Sequence, residues 1–589
     1  MNPRLLFRLL RVAALLAISA GSSMARSGAV PAAVPGSPRV LARVPVGDGL
    51  ADSSLPVYAI LTGPDGVAYA LTFVPAERVA LARDARVLAT AGSPEEFVIA
   101  LGRRRGARAK AREIADVVMD DGRHVVARAD EAQAEALAVA GFDLTRLPPV
   151  PMDTSSRETR VPLAEAAWDG AVAGMVEQVT EAGVTELAGG LSGGRPVSVG
   201  GSLVTIASRH TNSGQQIGRA TQFAYESLES FGLAPSYHAW QRGSVAGRNV
   251  VADLPGVSRP SEIVILCAHL DDMPYGSVAP GADDNASGST GVLLAARILS
   301  DHRFQRTIRF VLFTGEEQGL YGSSAYAASL AAQDANVVAV LNLDMISWDG
   351  GGAPTLRLHT RTPGSSGYAA DRAIADTFRA AVSLYVGNAL APVDDPDWNA
   401  ASDHYSFWSR GWPALLAIED DVNDFTPHYH TTADTLATLN IPYFANFVKA
   451  SVATTAHLGV LATQGTAFYP LTPCRVLDTR ESSRPATLGP PALAAGQTRA
   501  FAVATVCGIP SDAAALAVNV TVTEPLAAGF VTLFPGRGVA PGTSNVNFRQ
   551  GGTRACSSVV SVGPGATFSA FNGSAGTAHL IVDVAGVFR

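Results

Sequence analysis

Cysteine is scarce in this chain, with four in 589 residues, so a disulfide framework cannot hold the fold as a whole. Charge is also sparse at 16% of residues, and the net value of -8 offers no broad basic surface, so no nucleic-acid partner is expected. Beyond the N-terminus no run of about 18 apolar residues occurs, which argues against stable membrane insertion. What remains is a composition that is 47% hydrophobic, enough for packed cores. At 589 residues the chain exceeds one core, and about two to four domains are expected.

The first residues place Arg4, Arg8 and Arg11 before a short apolar segment and then Ser23-Met24-Ala25. This is the pattern of a secretory signal over residues 1–25, cleaved after Ala25, and the expected location is extracellular. Residues 26 to about 50 are rich in Ala, Pro, Gly and Val without helical period and read as a flexible lead-in. Val57 to Leu61, the turn Gly63-Pro64-Asp65-Gly66 and Val67 to Phe73 predict a hairpin. His124 to Ala127 predicts a strand, and Asp130 caps a helix that ends at Gly141. Residues 26–160 therefore read as a small α+β region with no cluster of catalytic residue types, suited to a propeptide or folding aid. Its basic run, Arg103 to Arg112, has six Arg or Lys in ten residues. It reads as a solvated surface, with a processing site as the alternative.

Pro148, Pro149 and Pro151 suggest a linker. From 165 to 464 apolar strands interleave with helices: Ile263 to Ala268, Thr307 to Phe313, Val337 to Leu343 and Pro413 to Ile418 are strands, and Gly288 to Leu299 is a helix. Continuous apolar strands of this kind imply a mixed, mainly parallel sheet with helices on both faces. From 466 to 589 the period changes to two, as in Leu516, Val518, Val520 and Val522, and predicts an all-β domain. Export favours a disulfide there. Cys474 and Cys507 are the expected pair, with Cys556 unpaired and Cys267 a buried thiol.

The chemistry is concentrated between Cys267 and Asn285, CAHLDDMPYGSVAPGADDN, in the loops beyond an apolar strand. His269, Asp271 and Asp284 lie there. Glu316 and Glu317 follow the next strand, Asp344 ends a third, and His430 lies in Tyr429-His430-Thr431-Thr432. Two His and three carboxylates suit a pair of borderline divalent ions such as zinc. Three carboxylates leave such a pair one positive charge, which hydroxide would neutralise. Singly each residue is weak evidence, since Asp284 could merely cap the helix that follows.

Six segments in order, AHLD (268–271), PGADDNASG (280–288), TGEEQGLYGS (314–323), NLDM (342–345), SDHYSF (402–407) and YHTTADT (429–435), resemble the co-catalytic zinc aminopeptidases of metallopeptidase clan MH, family twenty-eight. The resemblance covers about residues 170 to 460 and implies the zinc exopeptidase fold. It implies two zinc ions bridged by Asp284, with His269 and Asp344 completing one site and Glu317 and His430 the other. Glu316 would be the general base acting on a bridging hydroxide, Asp271 would orient His269, and Tyr429 would stabilise the oxyanion. A cis peptide between Asp284 and Asn285 is also implied. The expected activity is that of a secreted, monomeric aminopeptidase acting on peptide or protein substrates. A carboxypeptidase or dipeptidase is the alternative on the same scaffold. A glutaminyl cyclase would tend to depart from the Asp-Asn-Ala-Ser-Gly sequence, and a receptor-like relative without metals would lack ligands. Secreted relatives can carry a disulfide near the pocket, and here no cysteine lies between Cys267 and Cys474. TPCRVLDTR (472–480), CGIP (507–510) and IVDVAGVF (581–588) resemble an appended β domain of secreted bacterial proteins.

Overall fold

The computed structural model describes residues 38–46, 55–80, 82–104, 106–154, 163, 165–462, 467–536, 540–563 and 565–589. The expected signal sequence and most of the expected lead-in lie outside them. Contacts divide the chain into two units, Met1–Ala462 and Thr463–Arg589.

Strands β1 (Arg39–Pro45), β2 (Val57–Thr62), β3 (Ala68–Pro75) and β4 (Arg86–Thr90) form one antiparallel sheet in the order β2-β3-β1-β4. Strand β1 corrects the reading of residues 26 to 50 as a flexible lead-in. It is paired on both sides, and Leu41, Ala42 and Val44 are wholly buried. The apolar side chains of Arg39–Pro45 outweigh the Ala and Pro around them. Strands β5 (Phe97–Gly102), β6 (Asp116–Asp120), β7 (His124–Arg128) and β8 (Phe142–Arg146) make a second antiparallel sheet, ordered β6-β7-β5-β8. Helices α1 (Ala107–Ile114) and α2 (Glu131–Val139) pack with it, and α2 begins at the expected cap, where the Asp130 carboxylate accepts the Gln133 N–H at 2.8 Å.

A short hairpin, β9 (Val197–Val199) and β10 (Ser202–Val204), precedes the main sheet. That sheet has eight strands: β11 (Ser236–Arg242), β12 (Val245–Leu254), β13 (Arg259–His269), β14 (Arg306–Phe313), β15 (Val337–Leu343), β16 (Thr355–Thr360), β17 (Ala391–Pro396) and β18 (Ala414–Glu419). Their order is β11-β12-β14-β13-β15-β18-β16-β17. The central run β14-β13-β15-β18 is parallel, and the flanks carry the antiparallel pairs. Successive residues of β13 enter different layers, as the period of two demands. Val264, Leu266 and Ala268 join a core with helices α3 (Gly288–Leu299) and α4 (Ile441–Gly459). Ile265 and Cys267 join a second core on the other face, shared with Tyr326, Trp408 and the N-terminal residues Leu41, Tyr58 and Phe73. Each fully buried Val, Leu, Ile or Phe among them contributes about 1.5–3 kcal/mol. The N-terminal strands are therefore part of one layer of the main domain. Met152, beyond the expected linker prolines, is buried in that layer, and its N–H donates to Val57 O at 2.7 Å.

The second unit packs two antiparallel four-stranded sheets. One pairs β19 (Phe468–Asp478), β26 (His579–Phe588), β21 (Ala515–Thr523) and β24 (Arg554–Ser561); the other pairs β20 (Thr498–Ala502), β25 (Thr567–Asn572), β22 (Gly529–Pro535) and β23 (Val546–Phe548). Leu516, Val518, Val520 and Val522 all face its core, as their alternation predicts. Cys474 and Cys507 form a disulfide with Cα atoms 6.0 Å apart, while Cys267 is free and buried and Cys556 is free and exposed.

Candidate metal centre

Five side chains converge at the C-terminal ends of β13, β14 and β15 and in two loops nearby. His269 ends β13, Asp344 follows β15, and Glu317 lies in the loop after β14. Asp284 precedes α3, and His430 follows β18. The Nε2 atom of His269 lies 3.3 Å from Asp284 Oδ1 and 3.2 Å from Asp344 Oδ1. The Nε2 atom of His430 lies 3.2 Å from Asp284 Oδ2 and 2.8 Å from Glu317 Oε2. Asp284 thus divides its two oxygens between two groups, His269 with Asp344 and His430 with Glu317, either of which could hold a metal ion.

The chain around Asp284 is locked locally. Gly281 has φ 45°, and a Cβ there would sit 2.4 Å from the Asp284 carbonyl oxygen. The Asp284–Asn285 peptide is cis, as the resemblance implies. The Asn285 side chain donates to Leu343 O at 3.0 Å and accepts from Gly288 N at 2.8 Å, tying this loop to the end of β15. Two buried residues hold it from behind. Arg209 donates from its guanidinium to Leu270 O, Leu191 O, Pro280 O and Gly281 O at 2.7 to 2.8 Å. Asp434 accepts the backbone N–H of both Asp283 and Asp284.

The other candidate ligands have their own supports. Ser402 donates to Asp344 Oδ2 at 2.5 Å and accepts from the Asn342 amide at 2.7 Å. His269 Nδ1 meets the Asp271 backbone oxygen at 3.2 Å, closer than the Asp271 carboxylate at 3.9 Å. That carboxylate instead accepts the N–H groups of Glu316 and Glu317, at 3.4 and 3.3 Å, and the Thr211 hydroxyl at 2.9 Å. Asp271 therefore fixes the two adjacent glutamates in addition to its contact with His269. His430 adopts a left-handed backbone, φ 52°, which aims its ring inward, and Nδ1 donates to Ala138 O at 2.7 Å. The Tyr429 ring stacks on it with centroids 3.7 Å apart.

The electrostatics are those of crowded carboxylates away from water. Burial pushes Glu316 well above the usual carboxylate range, against the opposing pull of His269 and with Glu317 adding to the rise. Glu317 is raised to about 8, first by burial and then by the charge of Asp284. Burial alone would lower His269 and His430, yet Asp344 and Glu317 respectively hold them well above the ordinary imidazole value. The donor set fits metal binding on a further observation: His430 Nε2 and Glu317 Oε1 are buried and make no hydrogen bond. Imidazole nitrogen with carboxylate oxygen is the combination borderline ions such as zinc accept.

Tyr429 does not face open space. Its hydroxyl donates to Asp143, a residue of β8. Arg104 donates to the Tyr429 carbonyl, and Arg103 pairs with Asp143 at 2.5 Å and Asp421 at 2.8 Å. This corrects the reading of the basic run as solvated surface: Arg108, Lys110 and Arg112 are exposed, but the Arg103 side chain is only 10% exposed. Two carboxylates far along the chain make that burial tolerable. Asp143, Ala138, Arg209 and Asp434 had no role in the sequence reading, and Arg103 entered it as the start of the basic run and not as part of the site. Only Asp434 left a signal, lying within the segment YHTTADT.

A third group, His359 with Asp395 and Asp397, also has ligand spacing. Its imidazole is already held by Asp397 at 3.0 Å and Asp421 at 3.1 Å.

A mixed eight-stranded sheet whose central strand ends gather two His–carboxylate groups about one shared aspartate defines the zinc exopeptidase fold. Residues 249–455 match Peptidase family M28. A protein named "Probable leucine aminopeptidase" from Trichophyton verrucosum is 31% identical over 223 residues, 36% of this chain and 57% of that relative. Leucine aminopeptidase 1 of Arthroderma otae is 33% identical over 214 residues, 34% of this chain and 55% of that relative. The chain thus spans a little over half the length of the curated relatives it matches. The LapA aminopeptidase of Legionella pneumophila aligns over 62% of this chain and 99% of its own, at 19% identity and a TM-score of 0.48.

Proposed function

We propose that the chain is a secreted aminopeptidase that binds two zinc ions and removes N-terminal residues from peptides. One observation carries the reading: Asp284 turns one carboxylate oxygen toward each of two His–carboxylate groups. The family match and the leucine aminopeptidase relatives agree with it. The ions, when bound, would supply Lewis acidity toward the scissile carbonyl and toward water. Glu316 lines the same space as the ligands but belongs to neither group, which leaves its carboxylate to accept a proton and return it to the departing amine. Tyr429 would donate to the developing oxyanion once released from Asp143. Export is supported by the signal-like N-terminus and by the disulfide between Cys474 and Cys507.

The test pairs elemental analysis with turnover of leucyl chromogenic amides and their N-acetylated counterparts. Two zinc ions per chain, chelator-sensitive turnover and a required free amine are expected. Equal turnover of the N-acetylated substrates would rule the reading out.

A further inference from the structure

A cavity of about 370 Å³ lies in the first unit and shares no lining residue with the space around Glu316. Its size is that of a small-molecule site. Helix α2 supplies Glu131 and Glu135 to one wall, and His210, Tyr275, Gln318 and Tyr321 line the rest. The rim is open, since Glu131 is exposed and Tyr275 is 63% exposed, whereas His210, Gln318 and Tyr321 are buried.

The polar groups of this cavity are incompletely paired. The His210 ring accepts the Asn212 N–H on Nδ1 at 3.1 Å and therefore donates from Nε2, to Glu135 Oε1 at 2.9 Å. Glu135 Oε2 is left buried without a partner. Gln318 is only 5% exposed, and its amide oxygen has no partner either. Its amide nitrogen lies 3.4 Å from the His210 Nε2 that is already donating and 3.9 Å from Met273 Sδ, so neither end of the amide is well satisfied. Buried polar groups are nearly always paired, and two unpaired acceptors on the walls of one cavity call for a ligand that donates hydrogen bonds.

Charge narrows the class of that ligand. Among the described residues Glu131 enters no ion pair, and Glu135 meets only the His210 ring. The two arginines beside Tyr321 are already engaged. Arg242 pairs with Glu95 at 2.9 Å and lies over the Tyr321 ring, and Arg146 donates to the Tyr321 hydroxyl and to the Glu95 and Ala129 carbonyls. The three N–H donors of a primary ammonium match Glu135 Oε2, Gln318 Oε1 and Glu131, and the Tyr275 ring offers its π-face to a cation. We propose that this cavity binds the ammonium group of an alkylamine, either a free diamine or a lysine side chain. The site does not depend on the aminopeptidase reading. Gln318 follows Glu317 and Thr211 follows His210, so an occupant would lie against the two segments that hold the adjacent glutamates.

The test is calorimetric titration of the zinc-loaded full-length protein with putrescine, with 1,4-butanediol as the uncharged match. Saturable binding of putrescine and none of butanediol are expected. Glu135→Gln keeps the shape of the side chain and should weaken putrescine binding by about 10- to 100-fold, the loss of a hydrogen bond to a charged group. Nα-acetyl-lysine methylamide separates the two sources: binding tighter than putrescine assigns the site to a lysine side chain, and weaker binding assigns it to a free diamine. Absence of saturable putrescine binding up to about 10 mM would overturn the site. Wild-type affinity in Glu135→Gln would also overturn it, by placing the amine elsewhere, such as on zinc. If Glu135→Gln fails to fold by circular dichroism, Tyr275→Ala decides, because that exposed side chain can be removed without opening the core. A drop in affinity of at least roughly threefold supports the site, and a smaller change overturns it.

Discussion

The carboxylate of Asp434 accepts the backbone N–H of Asp284 at 3.0 Å, 150 residues away in sequence, and its two oxygens also accept the N–H of Asp283. The aspartate that serves both metal groups is thus held through its own peptide group by a second buried carboxylate. Asp434→Ala should keep the fold and weaken zinc binding by about 10- to 100-fold, the cost of losing a partner behind a ligand. Competition with a chromophoric chelator reads the change, and wild-type affinity in the variant would show that Asp434 merely fills space.

Adjacent glutamates should separate by role. Glu317→Ala removes a group 2.8 Å from His430 Nε2 and is expected to lower metal content. Glu316→Gln should retain metal and fold while slowing turnover by at least roughly a hundredfold, since a positioned general base contributes about 10² to 10⁴. Elemental analysis beside steady-state rates distinguishes the two. A Glu316→Gln protein that lost its metal would place Glu316 among the ligands instead.

His359 gives the first unit a pH-dependent stability. Burial pulls its imidazole down, but Asp421 and Asp397 outweigh that and raise it to about 10. Asp395 also faces it, and Arg123 and Arg103 sit on the far sides of Asp397 and Asp421. A folded pKa above the unfolded value of about 6.5 means that the charged imidazole stabilises fully below about pH 6.5. The contribution fades as pH rises toward 10. Urea midpoints taken from pH 6 to 10 should fall, and His359→Gln should flatten that slope. An unchanged slope in the variant assigns it to other groups.

The disulfide of the second unit closes 33 residues between Cys474 and Cys507. Closing a loop of that length restricts the unfolded chain by about 3 to 4 kcal/mol. Cys474→Ser/Cys507→Ser should lower the stability of residues 463–589 by about that amount and leave the first unit's transition in place. Calorimetry of the full chain, in which two separate transitions are expected, reads both at once.

The candidate ligands His269, Glu317 and Asp344 were legible in the sequence because they stand at or just beyond the ends of apolar strands, whereas Asp284 and His430 lie in longer loops and were marked by the segments PGADDNASG and YHTTADT. The alternation of Leu516, Val518, Val520 and Val522 declared the β domain for a similar reason. The contacts that the N-terminal strands and helices make with the site were not legible. Ala138 O is a backbone carbonyl that no side chain marks, and it meets His430 across 292 positions. Arg103 misled because five further basic residues surround it, and its two carboxylates come from a later strand and from a loop 318 residues on. Composition around Arg39–Pro45 misled likewise, since neighbouring Ala and Pro residues obscured a strand that its apolar residues specify.

The order of synthesis gives the Ala138–His430 contact a further meaning. Chains emerge and fold from the N-terminus, so β5 to β8 and the Ala138 carbonyl exist before any of the five ligands has been made. His430, the last of the candidate ligands in the chain, is made 292 residues after the carbonyl it meets. The cleft is therefore assembled against its own lining, as a casting is formed inside a mould, and at no moment of its making need it stand open.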